Sequence, residues 1–214
     1  MERLPVRQGF YPKGAILGPR EAKVRASPGK MASPDPSQGA DQVFVTDPNA
    51  QIGHVHLKVA DLDRALKFYS GVLGFQVTQR LGDGAAFLSA GGYHHHVALS
   101  TWQSLDGAPP ATGTTGLYHT AILYPTRAAL AEVFRRVLAA GIPLEGAADH
   151  GVSESVYPRD PDGNGVELYW DRPKNQWPRT PDGGLAMFTG RLDLRDLLNQ
   201  APPVVDLSPG PRDL

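Results

Sequence analysis

Two histidines and one glutamate stand at matching places in strand-like segments of this 214-residue sequence. His54 lies in the alternating segment 52–59, His119 lies in the similar segment 117–124, and Glu167 lies in the segment 166–170. Two imidazoles and one carboxylate on one side of an ion leave its other side open, an arrangement that suits non-haem Fe(II). The same donors also suit Mn(II) and Zn(II), and the residue types do not rank the three ions.

The elements that would position these residues occur twice along the chain. Each copy begins with a strand-like segment and continues with an amphipathic helix, predicted over 62–73 in the first copy and 127–140 in the second. Gly74 and Gly141 follow these helices and would end them. Further strands are predicted over 75–79, 85–89, 94–102, 143–145, 155–159 and 166–170. This order predicts an α+β fold of two βαβββ modules.

Alignment of the two modules places His54 against His119 and Ala98 against Glu167. The separations are similar, with 44 residues in the first module (98 − 54) and 48 in the second (167 − 119). A pseudo-twofold arrangement would gather these four positions in one place, where Ala98 alone carries no ligand atom.

Composition divides the chain into four segments. Residues 1–45 are rich in Pro, Gly, Ser and charge, so they predict a disordered extension. We interpret Met31 as the natural start, with a weak transit peptide as the alternative, since residues 1–30 hold seven Lys or Arg and two Asp or Glu. The modules are predicted over 46–112 and 113–171. Residues 172–214 predict a surface-wrapping tail with a short helix over 193–199.

Composition also limits the classes of function. The chain has 21 Lys or Arg and 22 Asp or Glu, which does not favour nucleic acid or an anionic membrane as a partner. There is no cysteine, so disulfides, thiolate nucleophiles and iron–sulfur clusters are excluded. Apolar runs are shorter than the roughly 20 residues of a membrane span. These observations predict a cytoplasmic globular protein.

Several motifs resemble the vicinal oxygen chelate superfamily, which includes glyoxalases, bleomycin resistance proteins and extradiol dioxygenases. They are HVHLKVAD at 54–61, the helix end at 68–75, and DPDGNGVEL at 160–168. The segments 91–96, 113–119 and 149–154 narrow the resemblance to small, two-module bacterial catechol 2,3-dioxygenases. The resemblance covers about residues 50–190. It implies mixed curved sheets around a metal site, with His54, His119 and Glu167 as Fe(II) ligands.

The resemblance implies roles for three more residues. His95 matches a histidine that handles protons and stabilises bound oxygen in extradiol enzymes. His150 and Tyr157 match a pair that hydrogen-bonds the substrate oxygens, and Tyr157 lies ten residues before Glu167 (167 − 157), as that pattern expects.

The resemblance also implies a pocket lined by His56, Phe87 and Ala98. His56 shares a strand face with His54, so a wall residue and a spare ligand both remain open for it. Strict alternation from Ala98 places His96 inward and His95 outward, which makes His96 a rival for the proton-handling role. A bulge at the start of the strand would reconcile the two interpretations.

The function that the resemblance implies is an oxidoreductase of aromatic compound catabolism. It would be an Fe(II)-dependent extradiol dioxygenase that cleaves catechol or a substituted catechol with O2, in a homo-oligomer. A glyoxalase-like isomerase is the second candidate, although such enzymes usually take a fourth ligand from the position of Ala98. A metal-dependent resistance enzyme and a non-enzymatic ligand-binding module remain open as well, because this fold hosts several functions.

Overall fold

The computed structural model describes residues 45–203, so the predictions for residues 1–44, including the start at Met31, lie outside the described residues, as do those for 204–214. Residues 54–203 belong to one compact unit and residues 45–53 to another. Among the described residues, no helix is long and apolar enough to cross a membrane.

The described chain has eight strands, which fall into two groups of four. The first module contains β1 (Val55–Lys58), α1 (Leu62–Leu66), a π-helical segment (Lys67–Val72), β2 (Gln76–Leu81), β3 (Ala85–Ser89) and β4 (Val97–Ser100). The second contains β5 (Thr120–Leu123), α2 (Arg127–Ala139), β6 (Leu144–Asp149), β7 (Ser153–Pro158) and β8 (Val166–Asp171). The tail has a 3-10 turn (Lys174–Gln176) and α3 (Leu194–Leu198), which lies within the helix predicted over 193–199.

The two modules form two sheets of the same topology. The strand order is β1-β4-β3-β2 in one sheet and β5-β8-β7-β6 in the other. The parallel pairs are β1 with β4 and β5 with β8, which are the first and last strands of each module along the chain. The remaining pairs are antiparallel. The predicted α+β fold of two βαβββ modules is therefore confirmed.

The strand registers explain why the predicted ligand positions correspond between the modules. β1 and β4 pair from their first residues onward, and so do β5 and β8. His54 and His119 each stand directly before these paired strands, while Ala98 and Glu167 are the second residues of β4 and β8. The two halves of the site thus occupy the same place in two copies of one unit.

The helices begin and end where local chemistry predicts. The side chains of Asp61 and Thr126 accept hydrogen bonds from the backbone of the first turns of α1 and α2. Gly74 and Gly141 have φ values of 85° and 69°, a left-handed conformation that suits glycine after a helix. The prediction that these glycines end the helices is confirmed.

The helix predicted over 62–73 is only partly α-helical. It is α-helical to Leu66 and then continues as the π-helical segment, where hydrogen bonds span five residues, as from Leu73 N to Phe68 O. The wider turn brings the consecutive side chains Phe68 and Tyr69 into the core together, with ring centroids 5.0 Å apart. The apolar pattern predicted a helix here but carried no signal for this widening.

The strand predicted over 94–102 is shorter in the structure. β4 begins at Val97, and His96 is held at the end of β3 by a backbone bond from its N–H to the Leu88 carbonyl, 2.8 Å long. The side chain of Thr78 also donates to the carbonyl of His94 at 2.8 Å. The segment 94–96 therefore does not alternate as a strand, and no bulge in β4 is needed to orient His95.

The two modules share one core. It is formed by buried residues of α1, the π-helical segment, α2, both sheets and the tail. Polar contacts reinforce the junction, since Asp162 accepts from the backbone of Ala60 at 2.9 Å and from Arg64 at 2.6 Å. Tyr69 donates to Asp160 at 3.0 Å.

Candidate metal centre

Two of the three predicted ligands are in contact. Nε2 of His119 lies 2.9 Å from Oε2 of Glu167. His119 stands before β5 and Glu167 lies in β8, and the parallel pairing of these strands brings both side chains to one end of the sheet. Only 14% of the Glu167 side chain is exposed, so its carboxylate is largely enclosed by the protein.

The geometry of this pair fits a shared divalent ion. Nitrogen and oxygen ligands lie about 2.1 Å from such ions, so two ligands at a right angle are about 3 Å apart. Nδ1 of His119 is buried and has no hydrogen-bond partner among residues 45–203. Nε2 donates its proton to Glu167 in the structure, and Nδ1 can carry that proton instead when Nε2 gives its lone pair to an ion.

The carboxylate of Glu167 also begins a hydrogen-bonded chain. Oη of Tyr157 donates to Oε1 of Glu167 at 2.9 Å, and the same Oη lies 2.7 Å from Nε2 of His150. On its other side, Nδ1 of His150 lies 3.2 Å from the backbone carbonyl of Phe188. The structure thus connects His119, Glu167, Tyr157 and His150, which all belong to the second module.

The number of available protons limits which hydrogen bonds between Glu167, Tyr157 and His150 can exist at the same time. A backbone carbonyl only accepts, so a hydrogen bond between Nδ1 of His150 and the Phe188 carbonyl requires a proton on Nδ1. Oη of Tyr157 has one proton and faces both the carboxylate and Nε2 of His150. When Tyr157 donates to Glu167, the bond to His150 requires a second proton on that imidazole. These contacts are therefore arranged so that a proton can pass between the imidazole of His150 and the phenol of Tyr157.

The first module contributes a separate aromatic group. The rings of His54 and His95 have centroids 4.4 Å apart, and the ring of Phe87 lies 5.1 Å from that of His95. Desolvation lowers the pKa of His95, and the charges of His54 and the other nearby histidines lower it further. A neutral imidazole at this place is suited to accept a proton.

The rival histidine has different partners. Nδ1 of His96 lies 3.2 Å from Oγ of Ser89 and accepts from the backbone N–H of Ala90 at 3.3 Å. These contacts occupy its Nδ1 at the end of β3. The structure places His95, and not His96, against the ring of His54.

The remaining predicted pocket residues lie on the paired strands of the first sheet. Nε2 of His56 lies 3.0 Å from Oγ of Ser100, and its ring meets that of Trp102 edge to face. Ala98 is 1% exposed and pairs with His56 on one side and Phe87 on the other. The position equivalent to Glu167 is thus a buried methyl group.

The structure does not bring all three predicted ligands together. Among the described residues, no three His, Asp or Glu side chains are close enough to hold one ion. His119 and Glu167 form one group and His54 lies in the other, so its role as third ligand stays a prediction.

Sequence reasoning missed the partner of His150. The backbone carbonyl of Phe188 and, at 3.4 Å, Oγ1 of Thr189 contact its Nδ1. A main-chain carbonyl gives no compositional signal, and the only indication was the prediction that the tail wraps the surface.

Comparisons with known proteins identify the family of this chain. Residues 51–168 match the model of the family described as Glyoxalase/Bleomycin resistance protein/Dioxygenase superfamily. The chain is 40% identical over 153 residues to a catechol-2,3-dioxygenase of Bacillus subtilis, covering 72% of this chain and 53% of that protein. It is 36% identical over 122 residues to a biphenyl-2,3-diol 1,2-dioxygenase of Rhodococcus globerulus, covering 56% of this chain and 63% of the relative.

A solved structure shows the same fold. The crystal structure of a glyoxalase/dioxygenase from Nostoc punctiforme matches with a TM-score of 0.52 and 18% identity, covering 63% of this chain and all of that one. The chain spans about half the length of its Bacillus subtilis relative.

Proposed function

The chain belongs to the Glyoxalase/Bleomycin resistance protein/Dioxygenase superfamily, and we propose that it is an Fe(II)-dependent extradiol dioxygenase that cleaves catechol or a substituted catechol. The observation that carries the proposal is the chain of contacts from His119 through Glu167 and Tyr157 to His150. In it, the imidazole and carboxylate predicted as ligands lie beside a phenol and a second imidazole, which are groups able to exchange protons. Relatives named as catechol-2,3-dioxygenase and biphenyl-2,3-diol 1,2-dioxygenase support the same reaction class.

Three residues would hold the ion. His119 and Glu167 supply one nitrogen and one oxygen that already lie at the spacing of neighbouring ligands. His54, at the equivalent position of the first module, would be the third ligand. Bound Fe(II) supplies open coordination positions and redox activation of dioxygen, which suits a site with three protein ligands.

The residues around the ion would handle the protons of the diol. A catechol carries two adjacent hydroxyl groups, and their protons must leave as the diol binds. The phenol of Tyr157 and the imidazole of His150 can orient these oxygens and relay a proton along their 2.7 Å contact. Both oxygen atoms of dioxygen enter the ring-opened semialdehyde acid, so the reaction needs no added reductant.

His95 would accept and return a proton during the reaction with dioxygen. Its lowered pKa keeps the imidazole neutral near pH 7, where it can accept a proton and later return it. Its ring lies against His54, the predicted third ligand, so a proton taken there would remain beside the ion. Phe87 covers another side of His95 and reduces its contact with water.

The decisive experiment is ring cleavage by the purified full chain. The protein is loaded with Fe(II) without oxygen, mixed with catechol and exposed to air, and a yellow ring-opened product is expected. Glu167→Ala and His54→Ala should each lower both iron retention and product formation by more than about 100-fold. Glu132→Ala is the control, because the partly exposed Glu132 of α2 pairs with Arg135 and has no predicted role in the site.

Each remaining result also discriminates between functions. Iron retention without cleavage of any catechol would contradict the dioxygenase and favour an isomerase or a resistance enzyme of the same family. Absence of metal binding would contradict the ligand set and favour a ligand-binding module. Equal losses in Glu132→Ala would show that the effects come from general destabilisation.

A further inference from the structure

The imidazole of His150 is held from behind by the tail that follows the second module. Its Nδ1 lies 3.2 Å from the carbonyl of Phe188, and its own carbonyl accepts from the N–H of Phe188 at 3.3 Å. These two contacts join the backbone and the side chain of His150 to the same tail residue.

The ring of Phe188 adds a packing contact at the same place. Gly151, directly after His150, has a φ of 76°, and a β-carbon built on it would lie 2.5 Å from Cε1 of Phe188. The Phe188 ring therefore occupies the space that a side chain at residue 151 would need. The absence of a side chain at Gly151 lets the tail pack directly against the loop that carries His150.

The tail is fastened on both sides of this contact. Before it, Arg172 forms ion pairs with Asp149 at 2.9 Å and with Glu154 at 2.7 Å. After it, the backbone groups of Gly190 and Asp149 exchange hydrogen bonds of 2.7 and 3.1 Å. The tail is thus attached on both flanks, and between these attachments the packing of the Phe188 ring against Gly151 is a contact that seats its carbonyl beside His150.

We propose that Phe188 is a positioning residue that selects the tautomer and orientation of His150. The proton is kept on Nδ1 by the tail carbonyl, so Nε2 is directed at Oη of Tyr157, 2.7 Å away. The effect of this selection on ring cleavage rests on the proposed function, whereas the tautomer itself does not.

The test is nitrogen NMR of the full-length protein at high pH, where imidazoles are neutral. In the wild type the proton of His150 is expected on Nδ1. In Phe188→Ala, which removes the packing against Gly151, the proton should shift largely to Nε2. Phe188→Leu keeps an apolar side chain there and should restore the Nδ1 tautomer. The signal is assigned with His150→Gln.

Two neighbouring variants are controls. Met187→Ala changes a more exposed apolar residue of the same segment, and Thr189→Val removes the more distant oxygen at 3.4 Å; neither should move the proton. An unchanged tautomer in Phe188→Ala, or an equal shift in Met187→Ala, would overturn the proposal.

Kinetics then separate the two proposals. If the wild type cleaves catechol, Phe188→Ala should lower kcat about 10–100-fold with little change in KM, and Phe188→Leu should restore it. An unchanged kcat in Phe188→Ala would overturn the positioning role in ring cleavage. A shifted tautomer in a protein that cleaves no catechol would support the tautomer selection and contradict the proposed function.

Discussion

At the scale of single residues, the site depends on one hydroxyl group. Tyr157 lies between the carboxylate of Glu167 and the imidazole of His150, and its Oη contacts both. Without this oxygen, the imidazole loses its hydrogen-bonded connection to the predicted ligand. Glu167 would nevertheless keep its contact with His119.

Tyr157→Phe should therefore separate proton handling from metal binding. We expect iron retention to stay within about twofold of the wild type and kcat for catechol cleavage to fall about 100-fold, the usual effect of losing a proton-transfer group. Iron content and initial rates on the anaerobically loaded protein measure both quantities. Tyr124→Phe is the matched control, because the buried Oη of Tyr124 has no hydrogen-bond partner among residues 45–203. Equal rates for the two variants would contradict a role for the Tyr157 hydroxyl.

At the scale of elements, a buried carboxylate connects a helix, a strand and the tail. Glu154 of β7 is 2% exposed and pairs with Arg127, the first residue of α2, at 2.7 Å. It also pairs with Arg172, which directly follows β8. Arg127 in turn pairs with Asp196 of α3 at 2.7 Å. This network attaches the tail to the second module on the side of α2.

Arg127→Met should destabilise the protein by about 2–3 kcal/mol, because it leaves part of a buried negative charge without its partner. The remaining pair with Arg172 limits the cost, and the loss of a positive charge at the helix N-terminus offsets a little of it. Urea unfolding measures the change. Arg135→Met is the control, since Arg135 pairs with a partly exposed Glu132 and should cost below about 1 kcal/mol. Equal losses in both variants would contradict the importance of the buried network.

At the scale of the whole molecule, the loop after β7 joins the modules. Asp160 accepts from the hydroxyl of Tyr69 in the first module, and Asp162 accepts from Ala60 and Arg64 there. Burial raises the pKa of Asp160, although hydrogen bonds from Asn164 and Tyr69 oppose the increase. The junction therefore contains a carboxyl group that holds its proton more tightly when the protein is folded.

The raised pKa predicts how stability depends on pH. Between 3.8, the ordinary pKa of this group, and its higher value in the folded state, the folded protein binds more protons than the unfolded chain. The contribution of Asp160 is therefore fully present below pH 3.8 and is lost as pH rises through the folded value. Asp160→Asn should remove this decline from urea-unfolding free energies measured between about pH 3.5 and about pH 7.

The pKa of Asp193 is shifted in the opposite direction to that of Asp160, so its effect on stability has the opposite dependence on pH. The backbone N–H of Asp196 lowers the pKa of Asp193, so its contribution is present above pH 3.8 and is lost as pH falls further. A decline with rising pH that persists in Asp160→Asn would contradict the assignment to the junction.

Much of the fold follows from local pattern. The alternation of apolar residues, the helix-ending glycines and the repeated order of elements predict two equal modules, and the equal strand registers bear this out. The equivalence of His54 with His119 and of Ala98 with Glu167 also follows from the repeat, whereas the contact of His119 with Glu167 results from the parallel pairing of β5 with β8. Residue spacing and side-chain chemistry are local properties of the sequence, so they can be read without knowing which residues come into contact in the fold.

The remaining features depend on contacts between residues that are distant along the chain. The π-helical segment buries Phe68 and Tyr69, and the hydroxyl of Tyr69 donates to Asp160, 91 residues away. His95 lies against His54 because β4 begins only at Val97. The residue before it, His96, is bonded to the carbonyl of Leu88 at the end of β3, so this segment does not alternate as a strand. His150 obtains its partner from a carbonyl 38 residues later. Such partners are selected by how the modules and tail pack, and a main-chain carbonyl is the same at every residue, so local pattern carries no sign of them.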